Sequence, residues 1–238
     1  MTTEERAAEA AAWDAKYAEK ERIWSGNPNV ALVREVDELP PGRALDLGCG
    51  EGADAIWLAG RGWRVTAVDL SRVALERAAA HAVERGVADR VEFRRVDLAT
   101  EFPAGEYDLV SAQFLHSRGE LPREEVLRRA AAAVAPGGVL LIEGHASLPA
   151  WETEAEAGAE TDGGSEAADP NAKFWPHAHS HADMYFPTPD EVIRDLQLPE
   201  GDWEVLRAEE HERLQNDPDG NPTTRIDSTV KLRRLPVD

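Results

Sequence analysis

The pattern of apolar and polar positions predicts a helical lead-in, an alternating core and an irregular later third. From about Thr3 to Arg22 the chain is rich in Ala, Glu, Lys and Arg, all strong helix formers. Its large apolar residues, Trp13 and Tyr17 and then Ile23 and Trp24, recur at spacing that suits one face of a helix running into a turn. Ser25-Gly26-Asn27-Pro28 ends that helix. A second is predicted from about Asn29 to Leu39, stopped by Pro40-Pro41-Gly42. Strands then alternate with helices. Arg43–Leu47, Trp63–Val68, Val91–Val96, Tyr107–Phe114 and Val139–Glu143 read as strands, the last after a Pro136-Gly137-Gly138 turn. Between them Ala53–Arg61, Ser71–Arg85 and Arg123–Val134 read as helices, with Ser71 as an N-cap and Gly62 and Gly86 as stops. This rhythm predicts a parallel sheet covered on both faces.

After Gly144 the rhythm breaks. The stretch 151–170 and then Phe174–Pro187 form a long irregular insertion, a length that points to a lid or a disordered loop. Asp190–Leu196 reads as a helix. Trp203–Leu214 and Ile226–Arg234 read as a final strand pair joined by a turn-rich segment from Asn216 to Pro222. The expectation is one domain over residues 1–238. It comprises a helical cap (1–40), an alternating core (43–145), an acidic and His-rich insertion (146–188) and a C-terminal helix with an antiparallel strand pair (189–238).

Composition narrows the class. A hydrophobic fraction of 42% is that of a globular chain, and no apolar run approaches the roughly 20 residues of a membrane span. The N-terminus is charged and lacks an apolar signal core, and the single cysteine, Cys49, has no disulfide partner. These features predict a cytoplasmic, reducing environment. Lys plus Arg number 26 against 46 Asp plus Glu, a net charge of −20 that repels phosphate backbones and predicts no nucleic-acid partner. Seven of the acids fall in residues 151–170, which contain no base; such a run reads as a solvated face. No feature bears on the oligomeric state.

The candidate chemistry centres on Asp46-Leu47-Gly48-Cys49-Gly50-Glu51-Gly52-Ala53, where the first strand hands over to the first core helix. Glycines there permit a tight turn and a close ligand approach, with helix N–H groups beyond. Asp69, at the end of the second strand, is placed to receive both hydroxyls of a ribose. Gly48, Gly50 and Ala53 also satisfy a loose dinucleotide fingerprint, so glycine spacing leaves a nicotinamide cofactor open. Charge separates the two: Asp46, Glu51 and Asp54 crowd a loop that would have to receive a pyrophosphate, whereas S-adenosylmethionine carries an ammonium and a sulfonium.

The run ALDLGCGEGADAIWLAGRGWRVTAVDLS resembles the first two motifs of class I S-adenosylmethionine-dependent methyltransferases, a likeness extending over roughly residues 10–145. It implies a Rossmann-like, seven-stranded, mostly parallel sheet whose last strand is antiparallel. It also implies that Asp46 and the loop Gly48, Cys49, Gly50 and Gly52 hold the methionine end, and that Asp69 holds the ribose. Leu70 would pack on adenine, Asp97 would reach the adenine amino group with Leu98 as a further cofactor contact, and Gln113 and Phe114 would line the pocket near the sulfonium. The segment WDAKYAEKERIWSGNPN is similar to the start of the thiopurine and tellurite methyltransferase branch, where such a segment covers the cofactor. Tyr17 and Trp24 are its candidate contacts. Each residue also has a structural reading: Asp46 as a helix cap, Asp69 as the anchor of the helix from Ser71, Cys49 as small filler.

On the acceptor side the candidates are His116, after the fourth strand, and His145, after the fifth; either can act as base where the acceptor must lose a proton. His177, His179, His181 and Asp183 alternate within the insertion, a spacing compatible with a metal, although a polar lid is the preferred reading and no metal site is assigned. The sequence therefore predicts methyl transfer from S-adenosylmethionine to a small molecule. Sulfur, selenium or tellurium acceptors are suggested by the branch likeness, with oxygen and nitrogen open. The competing readings are a nicotinamide-dependent oxidoreductase and a non-catalytic cofactor- or metal-sensing domain.

Overall fold

A computed structural model describes residues 2–115, 121–149, 185–217 and 219–236. The N-terminal helix α1 (Thr3–Ala18) starts from a capping box in which Thr2 and Glu5 satisfy each other's amides. It ends at Ala18, a turn short of the predicted Arg22. The short α2 (Val30–Val36) follows, trimmed at both ends relative to its prediction. The core then runs β1 (Arg43–Leu47), α3 (Ala53–Gly60), β2 (Arg64–Asp69), α4 (Arg72–Glu84), β3 (Val91–Arg95), β4 (Tyr107–Gln113), α5 (Arg123–Ala132) and β5 (Val134–His145). After the insertion come α6 (Pro189–Asp195), β6 (Trp203–Asn216) and β7 (Pro222–Arg234).

The seven strands lie in the order β3-β2-β1-β4-β5-β7-β6. The first five are parallel, and β7 runs antiparallel to both of its neighbours, β5 and β6. The α/β class and the antiparallel last strand are as expected. Strand β5 is longer than predicted: Pro136-Gly137-Gly138 lies inside it, at a register shift opposite Tyr107 and Leu109, and does not form the turn before it. A bulge gives proline a place in a strand that regular pairing would deny it. β7 likewise begins at Pro222, four residues before the predicted Ile226.

Alternation along the strands divides the core in two. Ala44, Val65, Ala67, Leu109 and Leu141 face α2, α3 and α4, whereas Leu45, Val68, Val110, Leu140 and Leu232 face α5 and α6. Burial of both faces accounts for the nearly unbroken apolar runs of the central strands. α1 packs across α4, where Asp14 accepts from the Ser71 hydroxyl at 2.7 Å and from the Val73 amide at 3.2 Å. That contact brings the N-terminal segment to the carboxyl end of the sheet. Among the described residues, no helix is long and apolar enough to cross a membrane.

Candidate cofactor and acceptor site

The turn from β1 into α3 uses glycine where the backbone requires it. Gly48, Gly50 and Gly52 all have positive φ, and a Cβ on Gly50 would stand 2.9 Å from the Tyr17 hydroxyl. The loop closes on itself: the Gly48 and Cys49 amides both donate to the Val68 carbonyl at 2.9 Å, and the Gly52 amide donates to the Cys49 carbonyl at 2.9 Å. The Gly50 amide donates to Asp69 at 2.8 Å, and the other Asp69 oxygen receives the Ser71 amide at 2.8 Å. The amides of Gly48, Cys49, Gly50 and Gly52 are therefore already bonded within the protein. Asp69 both anchors the helix start and braces the glycine loop; burial raises its pKa although these amides pull it down.

Asp46 is buried at 2% exposure, and its Oδ2 has no hydrogen-bond partner. Burial pushes its carboxyl well above the usual carboxylate range, and Asp54 and Asp69 push it the same way against a backbone amide at Ala55. Ser111 pairs with Asp46 across β1 and β4, and its hydroxyl accepts from Gln113 Nε2 at 3.1 Å. Gln113 Oε1 is likewise buried without a partner. Two orphaned acceptors thus sit on one face at the carboxyl ends of adjacent strands. Buried groups are seldom left this way unless a ligand or water supplies the donor.

Glu51 and Asp54 have a different place from the one expected of them. Glu51 accepts the Ile23 and Trp24 amides at 3.1 Å each and Arg77 Nη1 at 2.9 Å. Asp54 accepts the Asn29 amide and side-chain Nδ2, both at 2.7 Å. Both carboxyl groups thus fasten the N-terminal segment by accepting its amides. In consequence Trp24 Nε1 donates to the Tyr17 hydroxyl at 3.2 Å, beside Gly50, which brings both predicted cap residues to the loop.

The remaining predicted residues divide. Leu70 is half-buried beside this end, and its carbonyl accepts from Arg95. Asp97 receives the Ala99 amide at 3.0 Å and faces Arg6 of α1 at 3.5 Å. Leu98 packs in the core on the α5 side. The Cys49 thiol pKa is raised by burial and by Asp69 and Asp46. Phe114 adopts a left-handed φ of 50°, unusual for an aromatic residue, and its ring lies 4.7 Å from that of His145. His116, His177, His179, His181 and Asp183 lie outside the described residues; among those described, no group of three ligating side chains forms a metal site.

His145 gains a partner that sequence reasoning missed. Its Nδ1 lies 2.8 Å from Asp227 on β7, 82 residues away, and Arg213 holds the other Asp227 oxygen. Burial raises the Asp227 carboxyl, but the His145 and Arg213 hydrogen bonds outweigh it and leave its pKa low. An ionised Asp227 only accepts, so Nδ1 carries the proton and Nε2 the basic lone pair. Burial lowers the His145 pKa against that hydrogen bond. Two residue pairs back on the same face, Glu143 lies between His211 Nε2 at 2.8 Å and the Thr229 hydroxyl at 2.5 Å, with its pKa raised to about 7 chiefly by burial. The polar alternation Asp227, Thr229, Lys231 along β7 is the one sequence signal for these partners.

Comparison with known proteins bears on this geometry. Residues 44–138 match the family described as "Methyltransferase domain". A ubiquinone biosynthesis O-methyltransferase of Bordetella avium (strain 197N) is 37% identical over 134 residues, 54% of this chain and 54% of that protein. A ribosomal RNA small subunit methyltransferase C of Chromohalobacter salexigens is 36% identical over 111 residues, 45% of this chain and 32% of that protein. The chain thus spans about half the length, or less, of these curated relatives. The solved structure reported as "Conversion of a Disulfide Bond into a Thioacetal Group during Echinomycin Biosynthesis" superposes with a TM-score of 0.66. It is 24% identical, covers 95% of this chain and 92% of that one, and shares the fold. The central segment, residues 44–138, with its glycine loop and the ends of β1, β2 and β4, is thus the part of this chain that resembles a methyltransferase domain.

Proposed function

We propose that the protein binds S-adenosylmethionine and transfers its methyl group to a small-molecule acceptor. The observation that carries this reading is the pair of orphaned buried acceptors, Asp46 Oδ2 and Gln113 Oε1, beside a loop in which the amides of Gly48, Cys49, Gly50 and Gly52 are already bonded. A pyrophosphate needs free amides and little negative charge. A cationic ligand with ammonium donors needs the reverse, which favours S-adenosylmethionine over a nicotinamide dinucleotide. When bound, it supplies a methyl group on a cationic sulfur for in-line displacement. Asp46 and Gln113 would hold its amino-acid end, Asp69 the ribose, and Tyr17 and Trp24 would close over it and exclude water. Asp97 and Leu70 are the candidates for the adenine.

On the acceptor side, Phe114 packs against His145, and Asp227 sets the tautomer that makes Nε2 basic. This arrangement supports a hydroxyl acceptor, which must lose a proton, over a thiolate, selenite or tellurite, which need not. The relatives named as O-methyltransferases support the same preference. The likeness to the thiopurine and tellurite branch rests on a segment outside the matched residues 44–138, and a sulfur, selenium or tellurium acceptor is the second reading. A net charge of −20 supports a small molecule over nucleic acid, and the lone cysteine fits a cytoplasmic setting. The test is transfer of labelled methyl to a panel of hydroxylated, thiol and metalloid acceptors. His145→Ala is expected to lower turnover of a hydroxyl acceptor about 10²–10⁴-fold with cofactor affinity kept. Undiminished turnover would remove His145 from the chemistry.

A further inference from the structure

Gly144, near the end of β5, bears no Cβ, and the space it leaves is flanked by two polar side chains. Arg123 Nη2, from the first turn of α5, and Ser228 Oγ, from β7, each lie 3.6 Å from where that Cβ would stand. Ser228 is buried at 6% exposure, and Arg123 is half-buried. Among the described residues, neither side chain makes a hydrogen bond or ion pair. The other described arginines at this end of the sheet are engaged: Arg213 with Asp227, and Arg225 with the Ser147 carbonyl. Burial lowers the Arg123 pKa against the opposing pull of Glu124, the mark of a cation taken from water without full compensation. A guanidinium remains charged in such a place, and its planar fork matches a carboxylate.

We propose that Arg123 and Ser228, on either side of the bare Gly144, form an anion subsite that takes a carboxylate of the methyl acceptor. The inference rests on the acceptor side proposed above: Gly144 precedes His145 at the carboxyl end of β5, with its missing side chain on the α5 face and the His145 ring on the other, so an acceptor reaching both would pass over the strand end. A protein of charge −20 repels anions at long range, so this cation offers a short-range contact on a surface that otherwise turns anions away. Specificity follows from the same balance. A neutral analogue would leave the half-buried guanidinium and the hydroxyl without partners, which is costly.

The test uses the full chain saturated with S-adenosylhomocysteine, titrated by calorimetry with benzoate, 4-hydroxybenzoate and tricarballylate and with their amides. At least one acid is expected to bind at least tenfold more tightly than its amide. Arg123→Gln is expected to weaken that acid at least tenfold while S-adenosylhomocysteine affinity stays within about twofold. Gly144→Ala guards against misfolding, because its Cβ would meet both neighbours at ordinary contact distance yet fill the space. It too is expected to weaken the acid. The subsite is overturned if no acid binds, if acids and amides bind alike, or if both variants bind as the parent does. Failure of S-adenosylhomocysteine itself to bind would instead refute the proposed cofactor, so the two failures are distinguishable.

Discussion

Asp69 accepts the amide of Gly50 at 2.8 Å, so the acid that ends β2 also holds the loop that follows β1. Removing it would take away a ribose acceptor and the brace of the glycine turn together. Asp69→Ala is therefore expected to cost about 1.5–3 kcal/mol of S-adenosylhomocysteine affinity, the usual worth of hydrogen bonds to a charged group. A dissociation constant equal to the parent's would take Asp69 out of the site.

Glu51 carries the N-terminal segment on one buried carboxylate, through the Ile23 and Trp24 amides and Arg77. Glu51→Gln keeps the shape but weakens these bonds and leaves a buried amide nitrogen facing donors. The segment should loosen, so that trypsin cuts after Lys20 or Arg22 faster while the rest of the chain resists as before. Cofactor affinity should fall with it, because Tyr17 and Trp24 lose their place over Gly50. Unchanged cleavage would mean that the segment is held elsewhere.

Asp46 supports two opposite effects. Its carboxyl pKa is raised by burial and by neighbouring acids, so its contribution to stability is present at low pH and lost as pH rises through that raised value. Asp46→Asn is expected to raise the melting temperature of the ligand-free protein by a few degrees at neutral pH. The same change should weaken S-adenosylhomocysteine at least tenfold, because the ammonium loses its counter-charge. Wild-type binding should release protons, seen as a dependence of calorimetric heat on buffer ionisation. A variant both more stable and equally tight would refute the role assigned to Asp46.

Glu143 offers a pH test apart from the cofactor. Its pKa of about 7 stands above the ordinary carboxylate value, so its stabilising share is complete at low pH and is lost as pH rises through about 7. Thermal stability should decline from about pH 4.5 to about pH 7, and level off above, more steeply in the parent than in Glu143→Gln. Parallel curves would show that another group carries the dependence.

The alternation of strands and helices, Ser71 as a cap and the glycine loop were legible in the sequence because each is a local signal. The likeness of their segment made Tyr17 and Trp24 candidate cofactor contacts, and the structure sets both beside Gly50. The purpose of Glu51 and Asp54 was not, since acids beside a cofactor loop read as ligand contacts until the amides of Ile23, Trp24 and Asn29 are seen to need them. Asp227 and Arg123 were also beyond local reading. One reaches His145 across 82 residues, and the other is marked by the absence of a Cβ at the far end of the strand that follows its helix.

The most direct measurement is calorimetric titration of the purified protein with S-adenosylhomocysteine, and separately with NAD. Micromolar binding of S-adenosylhomocysteine, lost or weakened at least tenfold in Asp46→Asn, with no heat from NAD, is the expected result. Binding of NAD with none of S-adenosylhomocysteine would mean that the loop does receive a pyrophosphate, and the methyl-transfer account would fall with that result.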